Sequence, residues 1–554
     1  MLIRSKWMLA VILAVFILLS LSCAPTAAPD DPDPDENDVD VEPEPDPVEE
    51  PDEPFRITVA ATLDVESWDP PVGWNVGPQM ITDNAYDWLF LRAGDGSGWV
   101  PSLAREWETI DEVTVRFYLE EGVKFHDGTE LTAEDVKFHY ERIRDGERDV
   151  YIVQPQYTWI EDIVIHDPYT FDVVAVEPDS AFMFRLAQTN TGAGIVSKAY
   201  VEAFGQEAVH RSPMGTGAWI RKDWVRDEHV LFEVNPDYWA GPPDYDEFMF
   251  RIIPEASTRV AELLTGGIDM TYGVMQTDQA RIDADPDTRT LWSPTDRGSM
   301  LWLRQGVHPN WVGEPELDRE FTTEDPRVRK AIELAIDKYA IRDLEGGTGE
   351  AFRARGPYQP LPQGNPDLYG PHACLHDPDR AKELLQEAGY GPGEATLVFD
   401  ASEAHPTGDY ARVITNMLEE VGFDVDLRLH DTATHTSEVY YPRKTQELIL
   451  LGLGGQMNPV FATRIFLQSE QLVNYGGQGA GSEELDELLH KAWTEMQDVD
   501  LRNQYFHEAT QIIADERYVI GLFQQSQLWG LSSRVEYTPR FDILILGTDI
   551  TPVR

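Results

Sequence analysis

Between Asp30 and Glu53 the chain carries 14 acidic residues, no basic one, and a proline every few positions. Such a stretch has no apolar surface to bury and its like charges repel, so it stays extended and solvated. It divides the sequence into a short N-terminal part and a body, from Phe55 onward, that must fold by itself. At about 3.1 Å per residue, residues 24–54 reach on the order of 90 Å, the dimension of a stalk. An acidic solubilising tail is the bland alternative.

Before this tract stands an export address. Arg4 and Lys6 precede an unbroken apolar run from Trp7 to Leu19, and Ser20-Leu21-Ser22-Cys23 follows. The run is shorter than the ~20 residues that span a bilayer, so residues 1–22 read as a signal peptide. A cysteine at this point resembles the lipobox of exported lipoproteins, with Ser20 where that pattern prefers leucine. The resemblance implies that Cys23 is lipidated and that residues 23–54 are a linker behind a lipid anchor. A plain secretory peptide and an uncleaved anchor are the other readings. With Cys23 lipidated, Cys374 has no partner in the mature chain and reads as a small buried residue.

The body, residues 55–554, holds 85 acidic and 42 basic side chains, a formal charge of −43, and only 9 of the basic ones are lysine. This field repels phosphate backbones and anionic headgroups, which argues against nucleic-acid binding and against membrane contact other than the anchor. Many carboxylates with few lysines also resemble the surfaces of proteins adapted to high salt; a merely acidic protein is the equal alternative. At 42% hydrophobic residues the chain fills substantial cores, and its length suits roughly three domains of about 150 residues.

Strand patterns occur at 57–62, Thr114–Leu119, Phe171–Val176 and Phe248–Ile253. Helix patterns occur at Val328–Ile341, Asp379–Ala388, Tyr410–Val421, Ser482–Gln497 and Leu501–Asp515. Asp127-Gly128 marks a turn, and Thr132-Ala-Glu-Asp135 a capping box. The class is α/β with more than one domain.

Residues 101–143, from Pro-Ser-Leu-Ala-Arg-Glu-Trp through Glu-Gly-Val-Lys-Phe-His-Asp-Gly-Thr to Tyr-Glu-Arg-Ile, resemble the family 5 extracellular solute-binding proteins, the peptide/nickel-type binding components of ABC importers. Further blocks are similar in the same order. They are Ser212–Trp219 with Asn235–Pro242 and Gly267–Asp269, then Asp325–Asp337, Asp377–Tyr390, and Asn474-Tyr475 through Asp486. The resemblance implies a class II, hinge-bending periplasmic-binding-protein-like fold of two lobes with an extra third domain. It places lobe I at 55–95, 208–298 and 525–554, the extra domain at 96–207, and lobe II at 299–524. It implies a monomer outside the cytoplasm that closes over a small solute, a peptide or an oligosaccharide, and passes it to permease subunits, with no cofactor and no chemistry.

No nucleophile elbow, zinc-protease motif or phosphate loop is present, although an exported hydrolase with paired acids stays open. His126 and His139 invite a metal reading, but no ligand spacing converges on them. Arg327, Arg329 and Lys330 read as a solvated helix start rather than an anion clamp. In peptide binders of the family an aspartate before a proline on the third domain pairs with the ligand α-ammonium. The matching Leu450–Pro459 segment carries Gly454 or Gly455 there, which argues for another acid or for a ligand without a free amine. Candidate ligand contacts are Trp74 and Trp302 for stacking, Arg304 for an anionic group, and Asn75, Gln456, Asn458 and Asn474 as loop amides; Trp311 is a further aromatic near the cleft.

Overall fold

The computed structural model describes residues 54–553 apart from 73–75, 96–97, 147–152, 188–191, 307–318, 345–375, 405–406, 432–433, 436–438, 440–446, 454–459, 461–462, 465–466 and 469–481. Cys23, Cys374 and the export address lie outside the described residues. No helix among those described is long and apolar enough to cross a membrane.

A ten-stranded mixed sheet runs through the body. Its order is Phe423–His430, Ala395–Ser402, Leu448–Leu453, Thr288–Leu303, Val519–Ser532, Met270–Tyr272, Arg56–Ala61, Glu247–Ile252, His229–Val234 and Trp219–Val225. The two central strands, Thr288–Leu303 and Val519–Ser532, are antiparallel partners and far longer than their neighbours. Their register shifts between Pro294 and Gly298, where a proline and a glycine interrupt the ladder as such residues do at bulges. On one side of the shift, Leu291, Trp529 and Leu531 join a core with Ile57, Val59, Trp219 and Phe248. On the other, Leu301, Leu303, Ile520 and Leu522 join a core with Ile332, Phe399, Ile414 and Leu448. One strand pair thus feeds two cores, the construction of a two-lobe hinge.

A separate four-stranded antiparallel sheet, in the order Ala104–Thr109, Thr114–Leu119, Thr170–Ala175 and Ile160–Asp167, carries a third core. Val115, Phe117 and Leu119 alternate inward and meet Phe171, Val173, Tyr140 and Tyr157. The helix Ala133–Arg144 that covers it begins at the capping box, with the Thr132 amide donating to Asp135 at 3.0 Å.

The expected strands are present within a residue or so at Arg56–Ala61, Thr114–Leu119, Thr170–Ala175 and Glu247–Ile252. One helix differs. The Val328–Ile341 pattern is two helices, Pro326–Ala335 and Lys338–Leu344. Asp337 accepts from the amides of Tyr339 and Ala340 at 3.0 and 3.1 Å, so an N-cap competes with helix continuation and wins.

Candidate ligand cleft at the hinge

Several of the sequence blocks resolve into scaffold bonds. Asp87 is buried and accepts hydrogen bonds from Thr216, Tyr238 and Trp239 at 2.8, 3.0 and 3.0 Å, which ties two distant blocks to one carboxylate. Burial nonetheless holds its pKa above the usual carboxylate value. Asp325 and Asp377 each cap a helix whose first residue is proline, accepting from the Arg327 and Arg380 amides at 2.8 and 2.9 Å. Within the Arg327 cluster, Arg327 is exposed and Lys330 half-buried as a solvated helix start would have them, and Arg329 alone departs from that reading. Arg329 is buried, bonds the Thr323 and Glu324 carbonyls, and pairs with Glu516 at 2.8 Å.

His126 and His139 serve structure. Each donates from Nε2 to a backbone carbonyl, Gly217 at 3.0 Å and Gly192 at 2.7 Å. No group of three or more metal-ligating side chains gathers among the described residues.

Ligands of open α/β sheets bind outside the carboxyl ends of the strands. In the first lobe the parallel strands Arg56–Ala61, Glu247–Ile252 and Met270–Tyr272 end at Thr62, Ile253 and Gly273. There the Tyr272 hydroxyl meets Thr62 Oγ1 at 2.9 Å, and Arg259 donates to the Ile253 and Pro254 carbonyls at 3.1 and 2.7 Å. In the second lobe the parallel strands Ala395–Ser402, Phe423–His430 and Leu448–Leu453 end near Ser402, His430 and Leu453. His430 Nε2 lies 2.9 Å from Asp400 Oδ1. The shielded ring of His435 lies 6.2 Å from that of His430, centroid to centroid. Burial, with the His430 charge, lowers the pKa of His435 to about 4, so it stays neutral. Between the two rims sits the strand irregularity, where Thr295 Oγ1 donates to the Gln525 carbonyl at 2.9 Å and Gln525 Nε2 donates to Ser299 Oγ at 3.1 Å. These groups offer hydroxyls, amides and imidazoles on both sides of a bendable strand pair.

Among the candidate contacts, Trp302 and Arg304 are described, and neither stands at this rim. Trp302 is buried with Ile449, Leu485, Leu489 and Ile513. Arg304 is likewise buried, with Nε donating to the Gly306 carbonyl at 3.0 Å and the guanidinium 5.0 Å from the Phe321 ring centroid. Burial lowers its pKa to about 10, with Glu447 acting in the opposite sense. At about 3.3 Å per residue, Arg304 lies about 20 Å beyond the register shift, at the amino end of Leu448–Leu453 rather than the carboxyl end. Trp302 packs into the interior, and Arg304, one residue past the strand end at Leu303, is enclosed beside Phe321. Trp74, Asn75, Trp311, Gln456, Asn458, Asn474, Gly454 and Gly455 lie outside the described residues. The rim residues Thr62, Arg259, Tyr272, Gly273 and Gln527 carry no local motif; their grouping comes from three chain segments meeting.

A family model described as bacterial extracellular solute-binding proteins, family 5 Middle, matches residues 98–471. Di/tripeptide-binding protein 2 of Pseudomonas aeruginosa (strain UCBPP-PA14) is 28% identical over 351 residues, which is 59% of this chain and 63% of that protein. The chain thus spans about three-fifths of the curated relatives it matches. Among solved structures, the ABC transporter substrate binding protein CtaP from Listeria monocytogenes superposes with a TM-score of 0.76 at 19% identity, over 90% of this chain and 99% of that one. The periplasmic binding protein DppA from Helicobacter pylori, in complex with peptide STSA, gives 0.72 at 23% identity over 90% and 98%. These likenesses establish the fold.

Proposed function

Because the chain belongs to the bacterial extracellular solute-binding proteins of family 5, a family of transport components, we propose that it is the lipid-anchored binding component of an ABC importer. In this reading it captures an oligopeptide or similar solute between its lobes and hands it unchanged to a permease. The observation that carries the reading is the strand pair Thr288–Leu303 and Val519–Ser532, which feeds two cores across a register shift. A ligand touching both rims stabilises the closed arrangement in proportion to its differential contacts. The lobe boundaries near 298 and 524 fit this shift, and the acidic tract from Asp30 to Glu53 supplies the tether behind Cys23.

A thermal-shift screen of di- to pentapeptides against oligosaccharides tests the ligand class. A ligand at 100 times its Kd adds about 2.7 kcal/mol of stability. We expect peptides to raise Tm and to be recovered intact; stabilisation by sugars alone would replace the peptide reading, and consumption of the bound molecule would end the transport one. Changing Cys23→Ser is expected to move the protein from the membrane fraction to the soluble one. Retention of that variant on membranes would remove the lipid anchor from the account.

A further inference from the structure

Arg259 sits on the helix Ala256–Leu264 at the carboxyl ends of the first lobe's parallel strands, 5% exposed. Its Nη1 is used, donating to the Ile253 and Pro254 carbonyls. Its other edge is not: Nε is buried, and no described residue accepts from it. Two other buried arginines each hold a carboxylate, Arg329 with Glu516 and Arg540 with Asp542, each at 2.8 Å. None lies within ion-pairing distance of Arg259 among the described residues. Of the groups whose charge reaches it, Tyr272 and Glu255, the one carboxylate, Glu255, is exposed and takes a hydrogen bond from Ser257 at 3.2 Å. A guanidinium withdrawn from water without a counter-ion costs several kcal/mol.

The bare edge opens on a notch. Gly273 adopts φ +67°, and a Cβ placed there would lie 3.6 Å from Arg259 Nη2 and 3.7 Å from Gln527 Nε2. Two donors from separate segments therefore converge on one spot that the glycine leaves empty, half open to solvent.

We propose that this notch is a carboxylate subsite of the ligand cleft, in which an acidic group of the transported solute is received by Arg259 Nη2 and Gln527 Nε2. The inference rests on the binding function proposed above. A carboxylate is acceptor-only, and its two oxygens match one N–H donor from each of the two side chains. The subsite also turns the overall acidity to use, since the surrounding carboxylates repel an anion everywhere except at an unneutralised cation.

The test is titration calorimetry of the mature protein with alanine di- and tripeptides bearing a free C-terminal carboxylate, against the same peptides as C-terminal amides. The wild type is expected to prefer the acids by about tenfold. Arg259→Gln is expected to erase that preference, read as an acid-to-amide Kd ratio that falls to about one. Gln527→Leu, at a half-buried position, is expected to reduce it and carries the test if Arg259→Gln fails to fold by circular dichroism. Equal binding of acid and amide by the wild type, or an acid preference that survives the substitutions, overturns the subsite and leaves the importer function standing. Failure of every peptide to bind overturns the peptide reading and the subsite with it.

Discussion

His139 is fully enclosed beneath the four-stranded sheet, its Nε2–H held by the Gly192 carbonyl and its ring beside Arg142. Burial, reinforced by the Arg142 charge, depresses its pKa well below the ordinary imidazole value. Burial depresses that of His126 too. A depressed histidine pKa means that the unfolded chain takes up protons the folded chain refuses. Stability from these groups is complete above the unfolded pKa of about 6.5 and falls as pH drops below it. The expected slope is up to about 1.4 kcal/mol per pH unit for each histidine. Melting temperatures between about pH 7.5 and pH 5.5 should fall on acidification, and His139→Gln, which keeps a donor for Gly192, should flatten the fall. An unchanged slope in that variant would take His139 out of the acid response. The sequence shows these histidines in a glycine-rich, turn-bearing block; it does not show that their partners are carbonyls more than 50 residues away.

Elements begin where short-range hydrogen bonds place them. Removing the box at the start of Ala133–Arg144 by Thr132→Ala should cost about 1 kcal/mol, read as a lower denaturation midpoint. Gly217→Ala should cost more, since its Cβ would fall 2.5 Å from the Ala85 carbonyl carbon and 2.7 Å from the Tyr86 nitrogen. A Gly217→Ala protein as stable as wild type would mean the two segments separate without cost. The Thr132 cap and several strands are legible because their causes lie within a few residues: Thr132 and Asp135, the alternation of Val115, Phe117 and Leu119. The break at Ile336 leaves no mark in the pattern because the apolar period continues through it, while Asp337 decides the matter with two hydrogen bonds.

Across the whole body, a formal charge of −43 sets a self-repulsion that salt relieves. The Debye length shrinks from about 10 Å at 0.1 M to about 3 Å at 1 M. Raising NaCl over that range should increase Tm if the acidity is an adaptation to salt, and a flat or falling Tm would mark it as merely acidic composition.

The amino-acid order by itself determined the α/β class, the places of many helices and strands, the family resemblance and the solvated acidic tract, because periodicity, capping and charge density act over short stretches of chain. Only tertiary structure decided which polar groups share a rim. Residue 304 is separated from the cleft by strand direction and distance along a ladder. Residues 62 and 273 follow parallel strands that end together, while 259 comes from a helix and 527 from the antiparallel neighbouring strand. That adjacency is set by sheet order, on which no local pattern has any purchase.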